Sequence, residues 1–222
     1  MRKLTSAVFQ SLDGVMQAPG GPDEDPTGDF PFGGWSTTFW DESLYEPVGR
    51  IFEGEFDLLL GRRTYDIFAA YWPYNLDDPI GAKFQSINKY VFTSSDEPLE
   101  WEGSHALRGD VAEVVAGLKA TPGRDLLIQG SSTLYPPLLN AGLIDRLTLM
   151  TFPVILGHGK RIFVDRGAKP GAMRPVEQII SNKGVILASY EPAGEVPIGS
   201  FAMKEPSEAE LKRRQEWAKE EV

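Results

Sequence analysis

Cysteine is absent from the sequence, and histidine nearly so, with His105 and His158 alone. The first absence excludes disulfides, thiol nucleophiles and cysteine-ligated zinc. The second leaves two imidazoles, far apart in the chain, so no metal is expected. A chain without cysteine fits a reducing compartment, and the cytoplasm is the expected location. Long apolar runs are missing as well: none approaches the roughly 20 residues of a membrane-spanning helix. The N-terminal MRKLTSAVFQ mixes polar with apolar residues and runs into an Asp-Gly turn, so it reads as a strand and not as a signal peptide. Basic residues are in deficit, 22 Lys and Arg against 32 Asp and Glu, for a net charge of −10. A broad nucleic-acid surface needs the opposite balance. Three chemical motifs are lacking too. No G-x-G-x-x-G follows a predicted strand, Gly159-Lys160-Arg161 has neither the upstream glycine nor the Ser/Thr of a P-loop, and no G-x-S-x-G elbow occurs.

What is present is an ordinary globular composition, 41% hydrophobic and 24% charged over 222 residues, with 23 Gly and 17 Pro that imply many turns. The length suits one core with an appendage. Lys3 to Gln10 reads as a first, interior strand, ended by the Ser11-Leu12-Asp13-Gly14 turn. Residues 17 to 34 are dominated by Gly, Pro and Asp. A loop longer than about 12 to 15 residues inside a compact domain is usually functional or disordered. Asp41 to Glu53 is a predicted helix with Leu44, Val48, Ile51 and Phe52 on one side, and Pro47 is expected in its first turn or as an interruption. Phe56 to Leu60 is a second buried strand, followed by a helix that starts at the Gly61 turn. Pro79 to Ile87 is a short helix and Lys89 to Thr93 a third strand.

Ala106-Leu107 reads as a brief edge strand, and Asp110 to Ala120 as an amphipathic helix capped by Asp110. Leu126 to Ile128 is a buried strand that stops at Gly130 and opens into a helix over Thr133 to Leu139. Ile144 to Thr151 alternates as a strand does. Val176 to Ser181 and Val185 to Tyr190 flank the hairpin turn Asn182-Lys183-Gly184. Beyond Pro192 the pattern fails until Pro206 to Val222, which is charged and helix-favouring. The alternation of strands and helices predicts an α/β fold: a doubly wound, mostly parallel sheet with an antiparallel C-terminal hairpin. Residues 1–191 make the domain and 192–222 a C-terminal extension.

Three predicted strands end in small polar or glycine groups: Gly61-Arg62-Arg63-Thr64, Thr93-Ser94-Ser95 and Gly130-Ser131-Ser132-Thr133. Ligands of open α/β sheets bind beyond the carboxyl ends of the strands. Two helix starts with free N–H groups, several hydroxyls and two arginines suit a pyrophosphate and a further phosphate monoester, such as the 2′-phosphate of NADPH. Trp35, Phe39 and Trp40, at the end of the long loop, either pack into the core or stack on a flat heteroaromatic substrate, with Trp35 and Trp40 the named candidates for the second role.

These segments together resemble the dihydrofolate reductase fold. Ser11-Leu12-Asp13-Gly14, Gly61-Arg62-x-Thr64-Tyr65, Thr93-Ser94-Ser95, Ile128-x-Gly130-Ser131-Ser132, Leu143-Ile144-Asp145-Arg146-Leu147 and Pro153-Val154-Ile155-Leu156-Gly157-x-Gly159 carry the likeness. It is strongest to the branch named for the C-terminal reductase domain of the bifunctional riboflavin-biosynthesis deaminase-reductase. The resemblance implies NADPH as cofactor, with Gly61 to Thr64 and Gly130 to Thr133 on its pyrophosphate. It places Arg62, Arg63 and Ser94, within Thr93 to Ser95, near the 2′-phosphate. Ala7 and the Asp13-Gly14 turn are implied beside the nicotinamide, and Met16 to Gly34 as a mobile lid. It also implies a homodimer, and a carboxylate near the start of the helix after the lid, where Asp41 and Glu42 lie. The expected activity is an NADPH-dependent reduction of a small heterocycle. 5-Amino-6-(5-phosphoribosylamino)uracil is the named acceptor, a dihydropterin the alternative, and Asp13, Asp41 or water the proton source. A non-catalytic nucleotide-binding protein on the same fold is the competing reading. The zinc deaminase half is absent, with no H-x-E and no cysteine.

Overall fold

The computed structural model describes residues 1–164 and 168–219. One sheet contains eight strands: β1 (Leu4–Ser11), β2 (Phe56–Gly61), β3 (Lys89–Phe92), β4 (Ser104–Leu107), β5 (Asp125–Gln129), β6 (Arg146–Phe152), β7 (Met173–Ile180) and β8 (Ile186–Pro192). Their order in space is β4-β3-β2-β5-β1-β6-β8-β7. The first six run parallel, and β8 is antiparallel to both β6 and β7. The helices are α1 (Glu42–Ile51), α2 (Arg62–Ala69), α3 (Pro79–Ser86), α4 (Val111–Ala120), α5 (Tyr135–Asn140) and α6 (Glu208–Trp217). This is the doubly wound sheet with an antiparallel C-terminal hairpin that the sequence predicts. Ala106-Leu107 falls within β4, at the sheet edge as expected. The helix expected from Pro206 is α6, which buries no residue; the last residues of that prediction, 220–222, lie outside the described ones.

The strands divide their apolar residues by period two. Leu58 and Leu60 join Tyr65, Phe84, Ile87 and Val91 on one face. Leu59 joins Leu126, Ile128 and Val115 on the other. A third cluster of Trp35, Leu44, Val48, Phe152 and Leu187 ties the long loop and α1 to the C-terminal hairpin.

Two helices differ from expectation for local reasons. Pro47 is neither in the first turn of α1 nor a break in it. The helix continues through it because Leu44, Pro47 and Val48 are buried together, and that packing outweighs the missing N–H. The predicted helix over Thr133 to Leu139 is divided into a 3-10 turn, Ser132–Leu134, and α5. α5 has six residues and carries Pro136 and Pro137 in its first turn. Prolines have no N–H, so this helix start is poorer in donors than the sequence suggests.

Strand lengths create the site. β5 ends at Gln129, opposite Ala7, while β1 continues to Ser11 paired on that stretch with β6 alone. On the other side of β5, β2 ends at Gly61. A gap therefore opens beyond β5, between the carboxyl ends of β1 and β2. The chain runs outward from β2 to β4 and then returns to β5, so this gap is also the switch point where ligands bind in such sheets.

Near the amino end of β2, Arg2 and Asp57 are 3% and 2% exposed and pair at 2.6 Å. Asp57 also accepts from Asn88 N and Nδ2, both at 3.2 Å, and Arg2 Nε donates to Arg124 O. Removing one partner strands a buried charge. Asp57→Ala is expected to lower unfolding stability by roughly 3–5 kcal/mol, while the double change Arg2→Met with Asp57→Leu restores most of it. Urea unfolding of the two proteins measures this, and an unchanged midpoint for Asp57→Ala would refute it.

Candidate functional site

The gap beyond β5 opens into a cleft of about 450 Å³. Ala7, Val8 and Phe9 of β1 form its back. Its wall includes the Gly61–Thr64 and Gly130–Thr133 turns, an apolar set of Trp40, Val48, Phe52, Ile67 and Phe68, and residues 16–20, Glu24, Asp25 and Lys160.

The two turns are bound to each other. Gly130 has φ +83, and an added Cβ would lie 2.9 Å from Thr64 Cγ2, so only glycine permits the approach. Ser131 is also left-handed, at φ 65, which is uncommon for a residue with a side chain. Its hydroxyl accepts from Gly61 N at 2.7 Å and donates to Thr64 Oγ1 at 2.8 Å. α2 starts at Arg62 with no side-chain cap, which leaves its first N–H groups and positive dipole end at the cleft. Arg62 donates to Asp66 at 2.8 Å and reaches Glu97 at 3.4 Å. Arg63 reaches Thr27 Oγ1 at 3.3 Å.

The long loop is pinned. Gln17 Nε2 donates to Asp25 O at 2.9 Å and Thr27 O at 2.8 Å. Lys160 Nζ pairs with Asp25 and donates to Thr27 Oγ1 at 2.9 Å. Burial works against the charge on Asp25, but the hydrogen bonds from Lys160 and Thr27 outweigh it and its pKa falls. Glu24 behaves in the opposite way. Burial raises its pKa, and N–H groups of Gly20 and Gly21, at 2.6 and 3.2 Å, offset this only in part.

Trp35 does not reach the cleft. It is 8% exposed, its indole N–H donates to Gln17 O at 2.7 Å, and its ring meets Phe152 edge-on at 5.4 Å. Its size and its N–H both serve the loop, and of the two tryptophans named from sequence only Trp40 lines the site. Asp13 is equally committed elsewhere. It accepts from Ser11 Oγ at 2.6 Å, Leu156 N at 3.0 Å and Gly157 N at 2.8 Å, and pairs with Arg161 at 3.2 Å. The Ser11 bond is the main cause that brings its pKa down to about 2. Asp41 caps α1 and accepts from Lys183 N at 2.9 Å, which fastens α1 to the β7–β8 hairpin. Gly14, at φ +79, shapes the turn after β1. Thr93, Ser94 and Ser95 form a separate turn in which Ser95 N donates to Thr93 Oγ1 at 3.0 Å. None of Asp13, Gly14, Asp41 or Thr93–Ser95 is part of the cleft wall. The turn after β3 meets the site through Glu97 and Arg62.

Conversely, Gln17, Glu24, Asp25, Gln129 and Lys160 line the cleft without having been singled out in the sequence. Glu24 and Asp25 stand among turn-forming residues, and Lys160 in a glycine turn that fails as a P-loop. Gln129, next to Gly130 at the end of a buried strand, carried the clearest signal. Its Oε1 is buried and has no hydrogen-bond partner among the described residues, and its backbone pairs with Ala7. A dinucleotide fits this set of groups: N–H donors and hydroxyls at two touching turns, arginines beside them, and an unmet acceptor next to Ala7 where a carboxamide N–H could be received. Among the described residues no group of His, Asp and Glu is arranged to hold a metal ion, and no helix is long and apolar enough to cross a membrane.

The Lys160 clamp can be tested. Lys160→Met leaves Asp25 buried without its counter-charge, so residues 20–34 are expected to be cut by protease well before the remainder of the chain. A digestion pattern identical to that of the unaltered protein would count against the clamp.

A protein-family model described as RibD C-terminal domain matches residues 2–185. Over 113 residues the chain is 33% identical to YyaP of Bacillus subtilis (strain 168), an uncharacterized protein; the match covers 49% of this chain and 59% of YyaP, less than two thirds of that relative. Two solved structures share the fold. One is a diaminohydroxyphosphoribosylaminopyrimidine deaminase/5-amino-6-(5-phosphoribosylamino)uracil reductase from Thermotoga maritima, at TM-score 0.56 and 16% identity, covering 86% of this chain and 57% of that one. The other is dihydrofolate reductase from Enterococcus faecalis complexed with NADP(H), at TM-score 0.51 and 17% identity, covering 86% of this chain and 96% of that one. The two structural likenesses speak for the fold, and the family model spans most of the sequence: the chain belongs to the RibD C-terminal domain family.

Proposed function

We propose that this protein is an NADPH-dependent reductase of a small heterocyclic acceptor, of the riboflavin-biosynthesis type. One observation carries the reading: the Gly61–Thr64 and Gly130–Thr133 turns, with Arg62 and Arg63, share a single cleft with an apolar chamber at the end of β1. The reductase and the NADP(H) complex among the structural relatives support it.

In this reading the two turns hold the pyrophosphate of NADPH, Arg62 and Arg63 face its 2′-phosphate, and Ala7 with Gln129 receives the carboxamide. The bound cofactor supplies hydride. The chamber holds the electrophilic carbon of a C=N or C=O bond within reach, and the loop over the cleft keeps water out. Hydride on carbon and a proton on nitrogen or oxygen would turn that bond into CH–NH or CH–OH, with NADPH as the two-electron reductant. Glu24 is the proton source. It lines the cleft, its Oε2 alone takes the two loop N–H groups, and its raised pKa favours the acid form. Asp25 is held charged by Lys160, while Asp13 and Asp41 are engaged outside the cleft. 5-Amino-6-(5-phosphoribosylamino)uracil and dihydrofolate are the first acceptors to assay.

Titration with NADPH should quench tryptophan fluorescence, since Trp40 and Trp72 line the cleft; no quenching by NADPH or NADH would sink the reductase reading. Arg62→Ala together with Arg63→Ala should narrow the preference for NADPH over NADH, and an unaltered ratio would remove the arginines from the 2′-phosphate. With Glu24 as the acid, turnover falls as pH rises through its pKa. Glu24→Gln is expected to lose roughly 100-fold in rate and that descending limb, with NADPH affinity retained. A Glu24→Gln profile that keeps the limb would assign the proton to another group.

A further inference from the structure

The C-terminal extension leaves the domain with its apolar residues uncovered. The last ties are Ala193 N to Ala172 O at 2.8 Å and Ala172 N to Gly194 O at 2.9 Å, just past the Met173 and Pro192 pair of β7 and β8. Among the described residues, no hydrogen bond or ion pair joins residues 195–219 to residues 1–194. Within that stretch Val196–Met203 carries no charge. Val196 and Met203 are exposed, and Ile198 and Phe201 stand wholly in solvent. A lone exposed apolar residue needs no explanation, but a contiguous run of them marks a contact surface.

A second exposed apolar set lies at the other end of the β7–β8 hairpin. Ile180 and Ile186 pair across the two strands and are both exposed. Their neighbours Ile179 and Leu187 pack with Leu44 and Val48 of α1, so the two isoleucines face away from α1. Ile186 also pairs with Thr151, near the end of β6. Just beyond, Ile155 is exposed, and so is Leu12, whose N–H donates to Val154 O at 2.8 Å. These four residues surround one corner, where β1, β6 and the hairpin end. The charges near it are engaged: Lys183 Nζ donates to Thr38 O at 2.9 Å, and Asp13 pairs with Arg161. The extension departs from the opposite end. There Glu191, late in β8, pairs with Arg146 at the start of β6 at 2.8 Å.

We propose that Val196–Met203 is an arm that docks on the corner formed by Leu12, Ile155, Ile180 and Ile186 of a second copy of this chain, each copy giving one arm and receiving one. The proposal is independent of the reductase reading. Opposite placement of arm and corner is what a two-fold exchange needs. Two hairpins set side by side and antiparallel bring each arm to the other's corner, and the contact closes at two copies. The area agrees. The apolar side chains of arm and corner, at on the order of 100 Å² each, bring on the order of 800 Å² per copy, the share a stable interface requires. A second copy covers both sets at once. A membrane surface would attract a basic arm, whereas this one has no Lys or Arg between Pro192 and Lys204, in a chain of net charge −10.

Sedimentation velocity of the full chain over a wide concentration range should show association toward twice 24.5 kDa. Ile198→Asp with Phe201→Asp alters the arm, and Ile155→Asp with Ile180→Asp alters the corner. All four residues are exposed, and circular dichroism checks that both proteins fold. Each should weaken the dimer roughly 100-fold. A one-to-one mixture of the two should associate more tightly than either alone, because it keeps one intact arm on one intact corner. The lack of native cysteine makes the pairing directly readable. A Phe201→Cys chain mixed with an Ile180→Cys chain should give, on mild oxidation, a dimer linked through positions 201 and 180. A chain carrying both changes should also give linked dimers. A monomer at every concentration, a dimer indifferent to both double variants, or a bond that closes within one chain would overturn the proposal.

Discussion

The site depends on one contact, the hydroxyl of Ser131 between Gly61 N and Thr64 Oγ1. β2 and β5 are neighbours, but their ladder stops at Leu59 and Ile128. Past that point nothing in the sheet fixes the distance between the two turns. Ser131 does so, and at the expense of a left-handed backbone that a side chain resists. Gly130 makes the approach possible and Ser131 holds it. The N–H groups of the α2 start and of the second turn thereby keep one orientation toward the cleft, which is the condition for an anion to be received without reordering the loops.

The same contact limits how the turns can be used. Gly61 N is spent on Ser131, so an anion at the turns would have to draw on the N–H groups after it and on the turn before α5. α5 itself contributes little, with two prolines in its first turn. The polar end of the cleft is therefore organised around α2, an eight-residue helix without a side-chain cap. Among the described residues no side chain caps its positive end, and no acidic residue stands in its first turn.

The strands and the glycine turns were legible because each leaves a local mark. Leu58, Leu59 and Leu60 announce a strand buried on both faces, and Gly61 and Gly130 mark the ends where conformation demands glycine. Residues 17 to 34 were legible as a loop but not as a wall of the cleft. Its closure comes from Lys160, which is more than a hundred residues away in sequence and meets Asp25 only in the folded chain. Trp35 shows the complementary failure. An aromatic residue after a long loop can face a ligand or the loop's own core, and nothing near it in sequence decides which. The decision comes from Phe152 on β6 and from Gln17 O, which takes the indole proton.

Trp40 and Asp41 show how one helix start sets the chemistry of a chamber. The N-cap of α1 must present an acceptor to Ser43 N, and Asp41 does so. Its second oxygen takes Lys183 N, so the carboxylate is fixed on the hairpin side. With Asp41 turned outward, the preceding residue is left at the cleft, and that residue is a tryptophan packed on Phe9. The register of a single cap thus puts an aromatic side chain, and not a carboxylate, in the cleft wall at this point. The acid groups of the cleft come instead from the loop, through Glu24 and Asp25, and only Asp25 has a cation beside it.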